Sequence, residues 1–393
     1  MKITLVEFSP SGGLLHFAVQ LGEALADRGH DVELITGWRP ELRSGVPGFR
    51  VRGVLPTWHP PTGRSMPRAL QKLRRATRAV RYYAAWPVVA AVLARRRPDV
   101  VQWASLRFPV DGWWVHRLIP EGRRISLDLV HAPRPFNEQL RSGEVFRMNP
   151  RLRRSLARAY TGIDAVLVLG EQSRVDMASA WPEVRRVHVV PHGDESVFAR
   201  TSVPGPPSAA PARVLFFGTL TTYKGLDLLL DAFALVRADD PHVELVIAGA
   251  PSADIDLDQL RRRGEAIGGV CLRPGYVALP AVAELFAGAR VVVAPYRYAN
   301  ASGVVHLAQT FGRPVVATRV GDLPAALADG TSGWLVPPGD ARALATALQR
   351  LLRDPAEADR LGAAGRKRLN ADASWPVVAA RFEEVYRECL ADR

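Results

Sequence analysis

The chain is poor in cysteine, poor in lysine and, in its first half, poor in acid. Cys271 and Cys389 are the only thiols among 393 residues. They stand far apart with no second thiol or histidine at ligand spacing, which excludes a disulfide framework and a cysteine-based zinc site and fits a reducing cytosol. Long apolar runs are also missing. The longest charge-free apolar stretch, Ala84–Ala94, has 11 residues and contains Pro87, against the roughly 20 that a spanning helix needs. The opening run to Phe8 is too short for a signal peptide and carries Glu7 inside it. Of 52 basic residues only Lys2, Lys72, Lys224 and Lys367 are lysines, so each lysine is more informative than usual.

The acid deficit is one-sided. Residues 1–200 hold 31 basic and 18 acidic side chains, whereas residues 201–393 hold 21 of each, so the first half carries the whole net charge of +13. With 48% hydrophobic and 23% charged residues, the composition is that of a globular protein long enough for two domains.

Strand and helix patterns alternate from the start, which predicts βαβ units and parallel sheets. Ile3–Phe8 reads as a strand and Ser9-Pro-Ser-Gly-Gly13 as a turn; Leu14, Phe17, Ala18, Leu21 and Leu25 share a helical face that Gly29 ends. Strand-like runs follow at Val32–Thr36, Val100–Trp103, Ile125–Val130, Ala165–Leu169 and Val187–Val190. Residues 201–212 contain four prolines and a glycine and read as a linker. The pattern then restarts, with strands at Val214–Phe217, Val243–Ala248, Val291–Ala294 and Pro314–Thr318. The expected architecture is two doubly wound α/β domains, residues 1–200 and 213–374, in which ligands sit at the carboxyl ends of strands. A last helical stripe, Trp375 to Tyr386, can pack on either domain.

Two turns carry anion chemistry. Gly218-Thr-Leu-Thr-Thr-Tyr-Lys224-Gly225 joins a strand to a helix, so glycine amides, a helix N-terminus and the Lys224 charge share one place. It is not a Walker A loop, because no Ser or Thr follows the lysine. Ser302, Gly303 and Val304 open the helix after Val291–Ala294 in the same way. Together the two turns suit a diphosphate; each also fits an ordinary strand-to-helix turn. His131 ends the strand Ile125–Val130, where it can contact a sugar or an acceptor hydroxyl, or serve as a structural histidine. Asp254, Asp256 and Asp258 resemble a metal triplet but precede a helical stretch, where acids favour the N-terminus. Residues 64–97 hold ten basic and no acidic side chains, and Leu70, Leu73, Ala76, Thr77, Val80 and Tyr83 share a helical stripe within them. Such a helix suits an anionic membrane surface or is simply a solvated basic face. Nucleic acid is disfavoured, since no binding motif or aromatic platform accompanies the charge.

In this order and at these separations, Phe8-Ser-Pro-Ser-Gly-Gly-Leu14, Arg97-Pro-Asp-Val-Val101, Val190-Pro-His-Gly193, the segment Phe217–Asp227, Ala294-Pro-Tyr296, Ser302-Gly-Val304, Gly312-Arg-Pro-Val-Val-Ala-Thr318 and the segment Gly330–Asp340 resemble the retaining glycosyltransferases of family 4. The resemblance covers nearly the whole chain. It implies a GT-B fold, two Rossmann-like domains facing a cleft, with residues 375–393 crossing back to the first domain. It further implies a nucleotide diphosphate sugar (UDP- or GDP-linked) as donor, a sugar, lipid-linked or small-molecule acceptor, and no required cofactor or metal.

Roles carried over by resemblance are specific. Lys224, with Gly218 and Thr219, looks like the holder of the donor diphosphate; Gly12 and Gly13 look like the loop lining the donor–acceptor junction. His131 looks like the histidine beside the transferring sugar, and Ser302, Gly303 and Val304 like the loop contacting sugar hydroxyls and the nearer phosphate. Tyr276 and Val277 fall where the nucleobase is seated. Three positions depart from the family pattern: Thr219 where arginine is common, and Ala299 and Leu307 where paired glutamates are common, with Asn300 as a neutral substitute contact. A subset of the family, often found in polysaccharide assembly, has the Ser-Gly-Val loop and the Tyr-Lys-Gly turn. The expectation is a cytoplasmic transferase, peripheral at the inner membrane face through residues 64–97. The alternatives are a GT-B-fold nucleotide-sugar epimerase and a degenerate transferase acting as a binding scaffold.

Overall fold

The computed structural model describes residues 1–59, 68–104, 106–118, 124–133, 149–200 and 205–392. The chain divides into two compact units: the first comprises Met1–Pro135, Arg147–Pro191 and Trp375–Arg393, and the second includes His192–Ser374.

The first unit is built on β1 (Lys2–Val6), β2 (Asp31–Gly37), β3 (Phe49–Leu55), β4 (Val100–Trp103), β5 (Ile125–Val130), β6 (Ala165–Val168) and β7 (Val187–Val189). All neighbours run parallel, in the order β3-β2-β1-β4-β5-β6-β7. The central strands β4, β5 and β6 are buried along their whole length. Continuous apolar runs rather than alternating ones follow from helices covering both faces.

One face packs against α1 (Gly13–Asp27) and against the last helix, Trp375–Ala391. Phe17 lies edge-on to Trp375 at 5.3 Å, and Val378, Phe382, Val385 and Tyr386 join the same core. The expected return of the final helix to the first domain is therefore observed. Glu383 on that helix is 3% exposed and pairs with Arg28, Arg387 and, at 3.0 Å, His30 Nε2. The opposite face carries α2 (Arg68–Arg96), whose Trp86, Val89 and Leu93 are buried against Trp103 and Val101.

The second unit contains β8 (Arg213–Phe217), β9 (Glu244–Gly249), β10 (Val270–Pro274), β11 (Val291–Ala294), β12 (Val315–Thr318) and β13 (Gly333–Val336), parallel in the order β10-β9-β8-β11-β12-β13. In both sheets the strand order reverses beside the first strand, between β1 and β4 and between β8 and β11. The loops leaving those strands diverge and open a crevice there. The sequence pattern did not predict β3, β10 or β13. All three lie at sheet edges; exposed residues break the apolar run in β3 and β10, and β13 is only four residues long and opens with a glycine.

Of the segment read as a linker, 201–204 lies outside the described residues. Residues 205–212 are fastened to the second unit: Ser208 donates from its backbone N and its Oγ to Asp359 at 2.7 and 2.6 Å, and the buried Arg313 Nη2 donates to Gly205 O at 2.8 Å. Asp256 caps the helix Leu257–Ile267, accepting from the N–H groups of Asp258 and Gln259, so these acids begin a helix.

Candidate functional site

The second unit's crevice is formed by the loops after β8 and β11. Gly218 leaves β8 with φ +108°, and Thr222–Lys224 makes a single tight turn. Gly225 follows at φ +69° as N-cap of the helix Leu226–Asp239. A β-carbon on Gly225 would stand 2.1 Å from Pro295 O, so only glycine permits this approach of the two loops. Arg297 N–H donates to Tyr223 O at 2.7 Å and joins them.

Lys224 is 9% exposed and has no carboxylate partner among the described residues. Burial pulls its ammonium down to about 8. Its Nζ lies 5.4 Å above the Tyr296 ring and 2.8 Å from the point a β-carbon on Gly218 would occupy; Val304 Cγ2 lies 3.5 Å from that same point. Gly218, Lys224 and Val304 are thus brought to one place. Val304 is in the first turn of the helix Gly303–Thr310, which Ser302 precedes as N-cap. The Gly303 and Val304 amides of that turn have no intrahelical acceptor, whereas Val305 N–H donates to Ser302 O at 3.1 Å, and the helix end adds partial positive charge. An ammonium without a carboxylate partner and open amide donors in one place can hold an anion.

Asn300, in the same loop, is 6% exposed, and both its Oδ1 and its Nδ2 are buried without a hydrogen-bond partner. A buried amide left unpaired on both sides costs free energy that a ligand's hydroxyls would recover. Ala299 and Leu307 are buried apolar residues; the positions where paired glutamates were sought belong to the core. Thr219 is exposed, and Tyr276 and Val277 are half-buried just beyond β10.

Sequence reasoning missed Glu195 in this unit. It is 8% exposed, its Oε1 lies 3.3 Å from a β-carbon position on Gly303, and burial, helped by Asp194, raises its acid to about 8. A carboxylate in a short polar loop gives no sequence signal of burial.

The remaining expected residues belong to the first unit. Gly12 is the N-cap of α1 at φ +90° and donates to Glu41 Oε2 at 3.3 Å; a β-carbon at Gly12 or Gly13 would meet nothing within 4 Å. His131 follows β5, edge-on to Phe17 at 5.8 Å. Its Nε2 is buried without a partner, and burial, with the Arg107 charge, lowers the ring to about 3. His131 is therefore a neutral imidazole with one nitrogen unsatisfied.

Comparison with known proteins agrees with this layout. The family profile "Glycosyltransferase Family 4" matches residues 11–194 and "Glycosyl transferases group 1" matches residues 211–354. The chain is 31% identical over 256 residues to the alpha-maltose-1-phosphate synthase of Mycolicibacterium smegmatis, covering 59% of this chain and 65% of that protein. It therefore spans just under two thirds of that relative's length. Among solved structures, the sucrose-phosphate synthase of Thermosynechococcus elongatus superposes with a TM-score of 0.73 at 24% identity over 100% of both chains. The Anabaena protein HepE, in complex with UDP and glucose, gives 0.68 at 18% identity over 99% of this chain and 100% of that one. Both likenesses are of fold. Both halves of the chain thus match glycosyltransferase family models, and the chain is built of the two Rossmann-like domains of the GT-B fold.

Proposed function

We propose that the protein transfers a sugar from a nucleotide diphosphate sugar to an acceptor hydroxyl with retention of configuration. The second unit, which includes His192–Ser374, is the donor side and the first, with the final helix, the acceptor side. The observation that carries this reading is the buried, unpaired Lys224 set against Gly218 and the first turn of the helix Gly303–Thr310. These groups would bind the diphosphate and stabilise the charge that grows on it as the anomeric carbon–oxygen bond breaks, which is electrostatic preorganisation. The acceptor oxygen forms its bond to the anomeric carbon on the face the diphosphate leaves, and its proton passes to a diphosphate oxygen. Asn300 and Ser302 would hold sugar hydroxyls, Tyr276 and Val277 the base, and the neutral His131, with Gly12 and Gly13, the region around the transferring sugar. The Ser-Gly-Val loop with apolar Ala299 and Leu307 supports placing the chain in the family subset without the paired glutamates.

The acceptor is a polysaccharide, glycolipid or natural-product precursor met at an anionic membrane surface. Support comes from α2, where Leu70, Leu73, Val80 and Tyr83 are 47%, 61%, 68% and 57% exposed and Arg75 is exposed on the same segment. Arg64 and the side chains of Arg68 and Lys72 lie outside the described residues. No helix among the described residues is long and apolar enough to cross a membrane. Sedimentation with anionic vesicles should show binding that weakens with salt; equal binding to neutral vesicles, or none, removes this part.

A thermal-shift series with UDP, GDP and ADP tests the donor reading. One nucleotide should stabilise the wild type and leave Lys224→Ala unmoved; no response to any of them ends the reading. Burial of apolar Ala299 and Leu307 favours one second reading, a nucleotide-binding subunit without catalysis. Product analysis with candidate acceptors separates the two.

A further inference from the structure

Of the three acids at 254–258, only two serve the helix they stand beside. Asp256 caps Leu257–Ile267, and Asp258 pairs with Arg261 at 2.8 Å on its surface. Asp254 turns the other way, onto the loop that carries Lys224. Its Oδ2 accepts the Thr222 N–H at 2.8 Å, and its backbone O accepts the Thr222 hydroxyl at 3.2 Å. Ser252 Oγ stands between two acceptors, Asp254 Oδ1 and, at 2.9 Å, Leu220 O.

These contacts fall where the loop needs them. Thr222 opens the Thr222–Lys224 turn, so its N–H has no acceptor within the turn, and Asp254 supplies one. A hydrogen bond to a carboxylate is also stronger than one between neutral groups. The approach to the turn is tied by backbone: Leu220 N–H donates to Ala250 O at 2.8 Å and Ser252 N–H to Leu220 O at 2.9 Å, which continues the β8–β9 pairing past both strands. On the far side Arg297 N–H holds Tyr223 O at 2.7 Å. The turn is thus pinned on both sides of Lys224's own stem, and the pin at Thr222 is the one made by an acid. The helix that follows is capped without Asp254.

We infer that Asp254 is a positioning residue for the diphosphate site: by capping the Thr222 N–H it fixes the turn in the conformation that lays Lys224 beside Gly218. The inference rests on the reading of Lys224 as the diphosphate's cation and adds the residue that sets it. Asp254 acts through geometry rather than charge, because burial alone lowers the Lys224 ammonium. An amide oxygen in its place accepts the same N–H, whereas alanine leaves it without an acceptor. A lysine on a loosened turn regains rotamer freedom and must lose it again on binding.

The test compares Asp254→Ala and Asp254→Asn with Asp258→Asn, an acid of the same run that does not touch the turn. By calorimetry with UDP and, in parallel, GDP, Asp254→Ala should raise the Kd at least about tenfold. Asp254→Asn and Asp258→Asn should stay within about threefold of wild type. Ser252→Ala, which strips the brace from the same carboxylate, should move the Kd in the same direction by less. A second readout needs no nucleotide. The chain has four lysines, so with 13Cε-labelled lysine the Lys224 signal is the one missing in Lys224→Arg. Its titration midpoint, about 8 in wild type, should rise by about one unit or more in Asp254→Ala as the ammonium returns toward water, and hold in Asp254→Asn. A cap with only a structural role would lower the melting temperature and leave that midpoint in place. A Kd or a midpoint unmoved in Asp254→Ala overturns the inference, as does a loss in Asp254→Asn or Asp258→Asn equal to that in Asp254→Ala. Failure of the wild type to bind UDP or GDP, with the midpoint moved in Asp254→Ala, would instead remove the diphosphate reading and leave Asp254 as the residue that seats the lysine.

Discussion

Lys224 Nζ lies 2.8 Å from the point where a β-carbon on Gly218 would be. The ammonium occupies the space that glycine leaves empty, and Gly218 has φ +108° besides. Gly218→Ala should displace the lysine and strain the turn. We expect kcat/KM to fall at least tenfold, about 1.4 kcal/mol of transition-state stabilisation, with the UDP-induced thermal shift at least halved. Steady-state kinetics and melting curves check this; wild-type values in both would show that the approach has no role.

Lys224 also sets a pH dependence. Burial brings the free protein's ammonium to about 8, so the cation that the proposed diphosphate site requires is lost as pH rises through that value. The Kd for UDP, measured by calorimetry from pH 6.5 to 9.5, should rise up to about tenfold per unit above pH 8. In Lys224→Arg, whose guanidinium stays charged, it should remain flat. A flat wild-type profile would separate Lys224 from the phosphates.

His131, lowered to about 3 by burial and by the Arg107 charge, should stay neutral across the physiological range. Its ring resonances should not titrate between pH 5 and 8. His131→Ala should lower kcat while leaving the UDP Kd within about twofold, because the histidine and Lys224 belong to different units. A ring titrating near 6.5 would contradict the buried, unpaired environment of Nε2.

Glu195 carries a stability signature. Its carboxyl is raised from 4.5 to about 8, so between those values the native state holds a proton that the unfolded chain releases. Its contribution is complete below about pH 4.5 and is lost as pH rises to about 8, at no more than roughly 1.4 kcal/mol per unit. Glu195→Gln should therefore be more stable than wild type at pH 8 and closer to it at pH 5, as read by urea unfolding. Equal differences at both pH values would refute the assignment.

Glu383 holds the last helix to the first unit. Its removal leaves Arg28, His30 and Arg387 without their shared buried carboxylate. Breaking a buried pair costs about 3–5 kcal/mol. Because Arg28 and Arg387 reach solvent, Glu383→Ala should cost about 2 kcal/mol in denaturant unfolding. A loss below about 0.5 kcal/mol would show that apolar packing alone seats the helix.

The interior of the fold was legible in the sequence and its edges were not. β4, β5 and β11 were read to the residue because both faces are covered and the apolar run is unbroken. β10 carries Arg273 and Pro274 in exposed positions and so gave no such run. That Lys224 and Val304 stand at strand-to-helix turns was legible because glycines, a scarce lysine and helix starts mark such turns locally; that they meet beside Gly218 is seen only in the structure. Glu195 was not legible, since burial of a carboxylate depends on distant strands and loops. The stripe from Leu70 to Tyr83 was read correctly as helical, but only the structure shows its apolar members facing solvent.

The helix Trp375–Ala391 completes a core whose other members begin at Ile3. During synthesis the amino-terminal sheet therefore emerges and waits, with Phe17 and its neighbours uncovered, until nearly the whole chain has been made. His192–Ser374 of the second unit all precede that helix, so this part is in hand earlier and is free to fold first.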